Sequence, residues 1–142
     1  MAKILTISEI ESGLASPRAI DRWRMVSQPN IKLSDNQIEK CLVDSAEFVR
    51  SAVASNKKFK MSAKQVERGL LDDAFQVRYA FATRLDFKPT IAQINRGLKD
   101  SEIGIVKFFE QKKNELTAKY EAVKLLKIGG VNKRDKSVNI AL

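Results

Sequence analysis

The sequence predicts an all-α fold built from a repeat of 28 residues, and two features of the 142-residue chain carry this prediction. Hydroxyl side chains recur at that interval, each followed three residues later by Glu or Gln; they are Thr6, Ser34, Ser62 and Thr90. This pattern is typical of a capping box, in which both side chains satisfy free backbone N–H groups at a helix start. Apolar residues recur in the same register, at Ile10, Ile38, Val66 and Ile94 and at Leu14, Leu42, Leu70 and Leu98. Since cap and core positions recur together, we predict internal repetition.

Each repeat is predicted to contain two short helices. The first runs from the cap to about Asp44, Asp72 or Asp100, and it carries a small residue beside the apolar column at Gly13, Cys41, Gly69 and Gly97. A Gly inside a helix costs about 1 kcal/mol relative to Ala, so its recurrence indicates close approach of a neighbouring helix. The second helix has apolar residues four apart, at Val49 and Val53 and at the matching positions of later repeats. A pair this small buries a core only when pairs stack.

We predict one helical-repeat domain over residues 1–142, with repeats at about 5–32, 33–60, 61–88 and 89–116. A C-terminal helix and a basic tail are predicted to follow over 117–142.

No Gly or Pro occurs between Ile105 and Ile128, which favours one long helix there. The alternative is a fifth repeat, because Lys124 and Leu126 continue the columns of Arg96 and Leu98. The tail carries basic residues at Lys133, Arg134 and Lys136, and its periodicity leaves open whether it is flexible or folds back.

Two repeats carry a motif that is found in a known class of helical repeat. Asp44 with Val49 and Arg50, and Asp72 with Val77 and Arg78, resemble the Asp and Val-Arg signature of HEAT-type repeats. The run VRSAVASN, at 49–56, also resembles the leucine-rich-repeat variant. The resemblance covers roughly residues 5 to 116. It implies a right-handed α-α superhelix, which is a short α-solenoid, with a C-terminal helix added.

The outer repeats depart from this signature, since Ser16 replaces the Asp in the first and Val106 replaces the Arg in the third. The resemblance implies binding of other macromolecules. HEAT-like repeats also occur in DNA-binding glycosylases, but no active-site motif of those enzymes aligns with this sequence.

Composition argues against an enzyme. The chain has no histidine and one cysteine, Cys41, which occupies the small-residue column and is expected to be buried. Metal sites usually draw on His and Cys clusters. We therefore expect no enzymatic activity, no cofactor, no metal and no small-molecule substrate. No apolar run approaches the roughly 20 residues that span a membrane, and the single cysteine favours the reducing cytoplasm.

The net charge is +9, from 26 Lys and Arg against 17 Asp and Glu, and several cations recur at the repeat interval. The columns are Lys40, Arg68, Arg96 and Lys124; then Lys32, Lys60 and Lys88; then Arg84 and Lys112. Stacked repeats would turn these columns into basic rows suited to a phosphate backbone. The opposing interpretation is that Glu39 and Glu67 neutralise their neighbours, and that duplication simply copied surface charge.

Two further columns have competing interpretations. Arg22, Arg50 and Arg78 would either face phosphates or form a structural ladder with Asp side chains and backbone carbonyls. The ladder is favoured because Asp44 and Asp72 recur with two of these arginines. Trp23 would either stack on a partner or cover the open end of the repeat stack.

Two functional hypotheses follow. The first is a module that binds nucleic acid, through the cation columns, with little sequence preference. The second is an adaptor or scaffold that holds a peptide or an acidic protein in a groove between helices.

Overall fold

The computed structural model describes residues 3–128 of the chain. This part contains eight α-helices and no strand, so the all-α prediction is confirmed for it. The helices are α1 (Ile7–Leu14), α2 (Ala19–Val26), α3 (Asp35–Leu42), α4 (Glu47–Ser55), α5 (Ala63–Leu70), α6 (Phe75–Ala82), α7 (Ile91–Gly97) and α8 (Ile103–Ile128). The predicted tail residues Lys133, Arg134 and Lys136 lie outside the described residues.

The odd-numbered helices begin at the four predicted hydroxyls. The Ser34 and Ser62 hydroxyls accept from the backbone N–H of Gln37 and Gln65, at 3.2 and 3.1 Å. Those glutamine side chains accept in return from the N–H of each serine, at 2.8 and 2.9 Å. Thr90 has the same two-way box, and Thr6 caps α1 through its hydroxyl. Since capping needs only local residues, the helix starts were predictable from the sequence.

The chain divides into two compact units, Met1–Phe87 and Lys88–Leu142. In the first unit α1 packs on α2, α3 on α4 and α5 on α6, while α4 also contacts both α2 and α6. Its most deeply buried side chains are those of Val26, Val49, Val53, Val77 and Phe81. In the second unit α7 packs on α8 over the buried Ile105 and Phe109. The single domain over 1–142 stays a prediction.

The recurring glycines allow helices to touch, as the sequence indicated. Gly69 of α5 faces the ring of Phe81 on α6, and a Cβ at this position would fall within that ring. Gly97 stands in the same relation to Phe109, and Gly13 to Met25. Because the contact is with the partner helix of the same pair, glycine here sets the distance between the two helices.

The long helix α8 is a single element of 26 residues, so the fifth-repeat alternative is wrong. Its first part carries the buried Ile105 and Phe109. Beyond residue 110 none of its side chains is buried, and Leu125, Leu126 and Ile128 are exposed.

Candidate nucleic-acid interface

The arginines of the second helices form the structural ladder. Arg22 donates from Nε and Nη2 to the two oxygens of Asp44, at 2.8 and 3.0 Å. Its Nη1 donates to the backbone carbonyl of Ser16 at 2.8 Å. Arg50 makes the same three bonds one repeat later, to both oxygens of Asp72 at 2.9 Å and to the carbonyl of Asp44 at 2.7 Å. Each arginine therefore joins its own repeat to the next.

Electrostatics of the ladder agree with its geometry. Burial acts to raise the pKa of Asp44 and Asp72, but hydrogen bonds from Arg22 and Arg50 outweigh it and the net pKa of each is lowered. Hydrogen bonds to the aspartates raise the pKa of both arginines. Arg78 donates to the backbone carbonyls of Asp72 and Asp73, at 2.8 and 3.0 Å. The alternative, in which this column faces phosphates, therefore has no support in the geometry of Arg22 and Arg50.

The helix-face column is partly neutralised. Arg68 donates to both oxygens of Glu39, at 2.7 and 3.1 Å, and Gln65 donates to the same carboxylate at 3.0 Å. These bonds lower the pKa of Glu39. The Arg68 and Glu39 side chains are 48% and 45% exposed, so the pair lies at the surface. Lys40, in the same column, is exposed and forms no ion pair within residues 3–128.

Arg84 was predicted to lie on a basic face, and this prediction is wrong because the residue is 6% exposed. Its Nη1 donates to the carbonyl of Ala54 at 2.6 Å, and its Nη2 donates to the carbonyl of Phe59. Its Nε bonds Asp86 at 3.0 Å. The guanidinium thus holds the turn between α4 and α5 in place. Sequence columns missed this role because its acceptors are backbone carbonyls of the preceding repeat.

Four lysines of the first unit lie on the two turns that connect its repeats. Lys32 belongs to the α2–α3 turn, at 27–34, and Lys57, Lys58 and Lys60 belong to the α4–α5 turn, at 56–62; all four are exposed. We call them the turn lysines. Column reasoning predicted Lys32 and Lys60 and missed Lys57 and Lys58, which do not recur. The signal that could have found them is the local run KKFK.

The two turns are held against the core and against each other. Ile31 and Phe59, each directly before a turn lysine, are 6% and 5% exposed. Lys58 Nζ donates to the side-chain oxygen of Asn30, whose φ of 62° lies in the left-handed region that asparagine tolerates. A small cavity of about 350 Å³ lies between the turns, with Lys32 and Lys58 in its wall. The lysines are therefore displayed on anchored backbone.

No acidic residue occurs in residues 22–34 or 48–66 of the sequence. The first one after the α2–α3 turn is Asp35, and in the described part of the chain no turn lysine forms an ion pair with it or with any other carboxylate. The corresponding turn after α6 contains Asp86, together with the exposed Leu85, where its predecessor has Lys58 and Lys57. Positive charge in the first unit is thus concentrated on the first two turns.

The remaining predicted residues belong to the second unit. Lys88, Arg96 and Lys124 are exposed. Lys112 is half-buried, 3.4 Å from Glu115 and 5.4 Å from the centre of the Phe108 ring. Part of its charge is therefore satisfied within α8.

Two residues singled out for other reasons can now be placed. Trp23 is 38% exposed on α2, so the structure does not bury it as a cap would require. Cys41 is 4% exposed, and burial raises the pKa of its thiol to about 11. It is a packed small residue, as its column predicted.

Two further features of residues 3–128 bear on function. No group of three or more His, Cys, Asp or Glu side chains in this range is arranged to hold a metal ion. None of its helices combines the length and apolar character needed to cross a bilayer. No protein-family model, curated protein or solved structure matches the chain.

Proposed function

We propose that the protein is a non-catalytic helical-repeat module that binds nucleic acid by its phosphate backbone, with the turn lysines as the principal contact. The observation that carries this proposal is the cluster of four exposed ammonium groups on two adjoining turns without a carboxylate partner among the described residues. Neutralising phosphates with such groups releases condensed counterions and supplies sequence-independent affinity.

Backbone contact fits this surface better than recognition of bases. Stacking on single-stranded bases needs accessible aromatic rings. The only aromatic residue of the two turns is Phe59, which is buried. The exposed rings of Phe48 and Phe75 lie in the first turn of α4 and of α6, while the connecting turns follow the other ends of these helices. We therefore expect binding to duplexes with little sequence preference.

The arrangement of the repeats is part of the same proposal. Four helix pairs with caps 28 residues apart, and second helices of the first unit packed side by side, are what a HEAT-like right-handed superhelix requires. In such an arrangement Lys88, Arg96 and Lys124 of the second unit would extend the basic surface.

The test is fluorescence anisotropy with a labelled duplex of 20 base pairs, titrated with the full chain between low and physiological salt. Each neutralised phosphate contributes a log–log slope of about −0.9 on duplex DNA. Lys57→Ala with Lys60→Ala should therefore flatten the slope by about two units, equally for unrelated sequences. The matched control is Lys113→Ala with Lys119→Ala, which removes the same charge from exposed positions of α8.

Three outcomes would count against the proposal. Failure to bind at low salt would refute nucleic-acid binding. Equal slopes for the turn variant and the control would place the contact elsewhere, with Lys133, Arg134 and Lys136 as the next candidates. Poly-glutamate binding as tightly as the duplex would favour an acidic protein partner, which is the adaptor hypothesis.

A further inference from the structure

The turns within each repeat, between its two helices, differ in chemistry from the turns that carry the lysines. Residues 41–49 and 69–77 contain no Lys or Arg, and each segment contains two acidic residues, Asp44 and Glu47 in one and Asp72 and Asp73 in the other. The two segments end α3 and α5 and begin α4 and α6. They therefore place apolar and acidic side chains on the first unit at the ends of these helices away from the turn lysines.

Four large apolar side chains are exposed in these segments. Val43 and Leu71 are 60% and 57% exposed, and Phe48 and Phe75 are 42% and 44% exposed. Contiguous exposed apolar residues with a polar surround mark interaction surfaces more often than isolated ones do. Val43 and Leu71 are also the residues that end α3 and α5, so their exposure recurs in two consecutive repeats.

A groove of about 530 Å³ lies between these two turns. Val43 and Leu71 contribute apolar surface to it, Ser45 and Gln65 contribute polar groups, and Asp73 contributes a carboxylate. The Arg50–Asp72 ladder pair also lines the groove and fixes the backbone beneath it. The groove is thus formed by anchored residues of the first unit.

Charge decides what this groove suits. The ladder bonds satisfy the carboxylates of Asp44 and Asp72. Those of Glu47 and Asp73 are exposed and make no ion pair or hydrogen bond within residues 3–128. The cation at the rim, Arg68, is already bonded to Glu39. The free charge beside the apolar surface is therefore negative.

We propose that this groove binds a peptide segment of another protein in which an aliphatic side chain is flanked by lysine or arginine. The aliphatic side chain would lie between Val43 and Leu71, and a flanking cation would pair with Asp73. A partner held at this surface leaves the turn lysines free, so the module would connect a basic protein segment to the ligand of those lysines.

The test uses the full chain, labelled with ¹⁵N, and three matched nine-residue peptides. The first has two leucines flanked by lysines; the second replaces its leucines by alanine, and the third replaces its lysines by glutamate. We expect the lysine–leucine peptide to shift amide resonances within 42–50 and 65–77, with a dissociation constant at least tenfold below those of the other two. Leu71→Ser should abolish these shifts, while anisotropy of the duplex stays unchanged.

Asp73→Lys keeps the groove but reverses its free charge, so the glutamate–leucine peptide should become the preferred one. Equal affinity for all three peptides, no shifts at any accessible concentration, or shifts confined to other residues would each overturn the proposal. So would self-association that Leu71→Ser removes in the absence of peptide, because a second copy would then be the occupant. Loss of duplex binding in Lys57→Ala with Lys60→Ala leaves this proposal intact, since the two surfaces share no residue.

Discussion

The arginine ladder and the turn lysines are two sets of cations in the same repeats, and the fold uses them differently. Arg22 and Arg50 each meet an Asp of the following repeat and a backbone carbonyl, so their charge stabilises packing. Lys57 and Lys60 lie in an acid-free stretch, and their charge faces solvent. Recurrence at 28 residues is common to the ladder and to part of the lysine set. What separates them is whether an acceptor lies within reach.

The largest effect that would sharpen this contrast is expected at Arg84. Its guanidinium donates to the buried carbonyls of Ala54 and Phe59, and Arg84→Met leaves both without that donor. Hydrogen bonds from charged groups contribute about 1.5–3 kcal/mol each, and buried acceptors left unsatisfied add a desolvation cost. We expect the free energy of unfolding to fall by about 3 kcal/mol, measured by urea denaturation.

The matched control is Lys57→Met, on the turn that Arg84 holds. This lysine is exposed, and such substitutions usually change stability by less than about 0.5 kcal/mol. Similar losses in the two variants would mean that Arg84 is not a structural cation. Arg84→Lys should also lose most of the stability, because an ammonium cannot reproduce the planar set of donors.

A smaller effect is expected from protonating the ladder. The folded-state pKa values of Asp44 and Asp72 are lowered by the hydrogen bonds from Arg22 and Arg50, which outweigh burial. For a lowered pKa, the stabilisation is complete above the unfolded value of about 3.9 and is lost as pH falls through the folded value. Asp72→Asn should therefore lose about 2 kcal/mol at pH 7. The difference from the original protein should shrink steadily below about pH 4.

Thermal denaturation followed by circular dichroism between pH 7 and pH 2 gives this comparison. Asp35→Asn is the control, since the carboxylate of this exposed residue makes no ion pair within residues 3–128. A gap between Asp72→Asn and the original protein that stays constant down to pH 2 would contradict the ladder as a charged structure.

Local patterns and reciprocal pairs were the parts of the fold that the sequence could predict. The cap of Ser34 with Gln37 lies within four residues, and the glycine column with the second-helix apolar residues indicated the contact of Gly69 with Phe81. The ladder was predictable because an Asp recurs with its Arg.

The burial of Arg84 was not predictable from the sequence, since nothing in it shows that carbonyls of the preceding turn converge on this position. Lys57 and Lys58 were missed for the opposite reason. A search for recurring residues discards a feature present in one repeat only, and the missing acids around these lysines are the physical signal.

The smallest expected effect lies at Arg68, which stands between the two sets of cations. It was predicted to contact phosphate, yet it donates two hydrogen bonds to Glu39 at a half-exposed surface. Exposed pairs of this kind contribute about 0.2–1 kcal/mol, so Arg68→Ala should change stability by no more than that. It should also flatten the salt dependence of duplex binding by less than one unit, because Glu39 competes with phosphate for the guanidinium. Glu39→Gln provides the decisive comparison, since it frees Arg68 without removing it. If Arg68 is held back by Glu39, duplex affinity should rise in Glu39→Gln and return to its original level when Arg68→Ala is added. If affinity falls by a full phosphate contact in Arg68→Ala alone, the helix face and the turns act together, and the distinction between paired and free cations fails at this position.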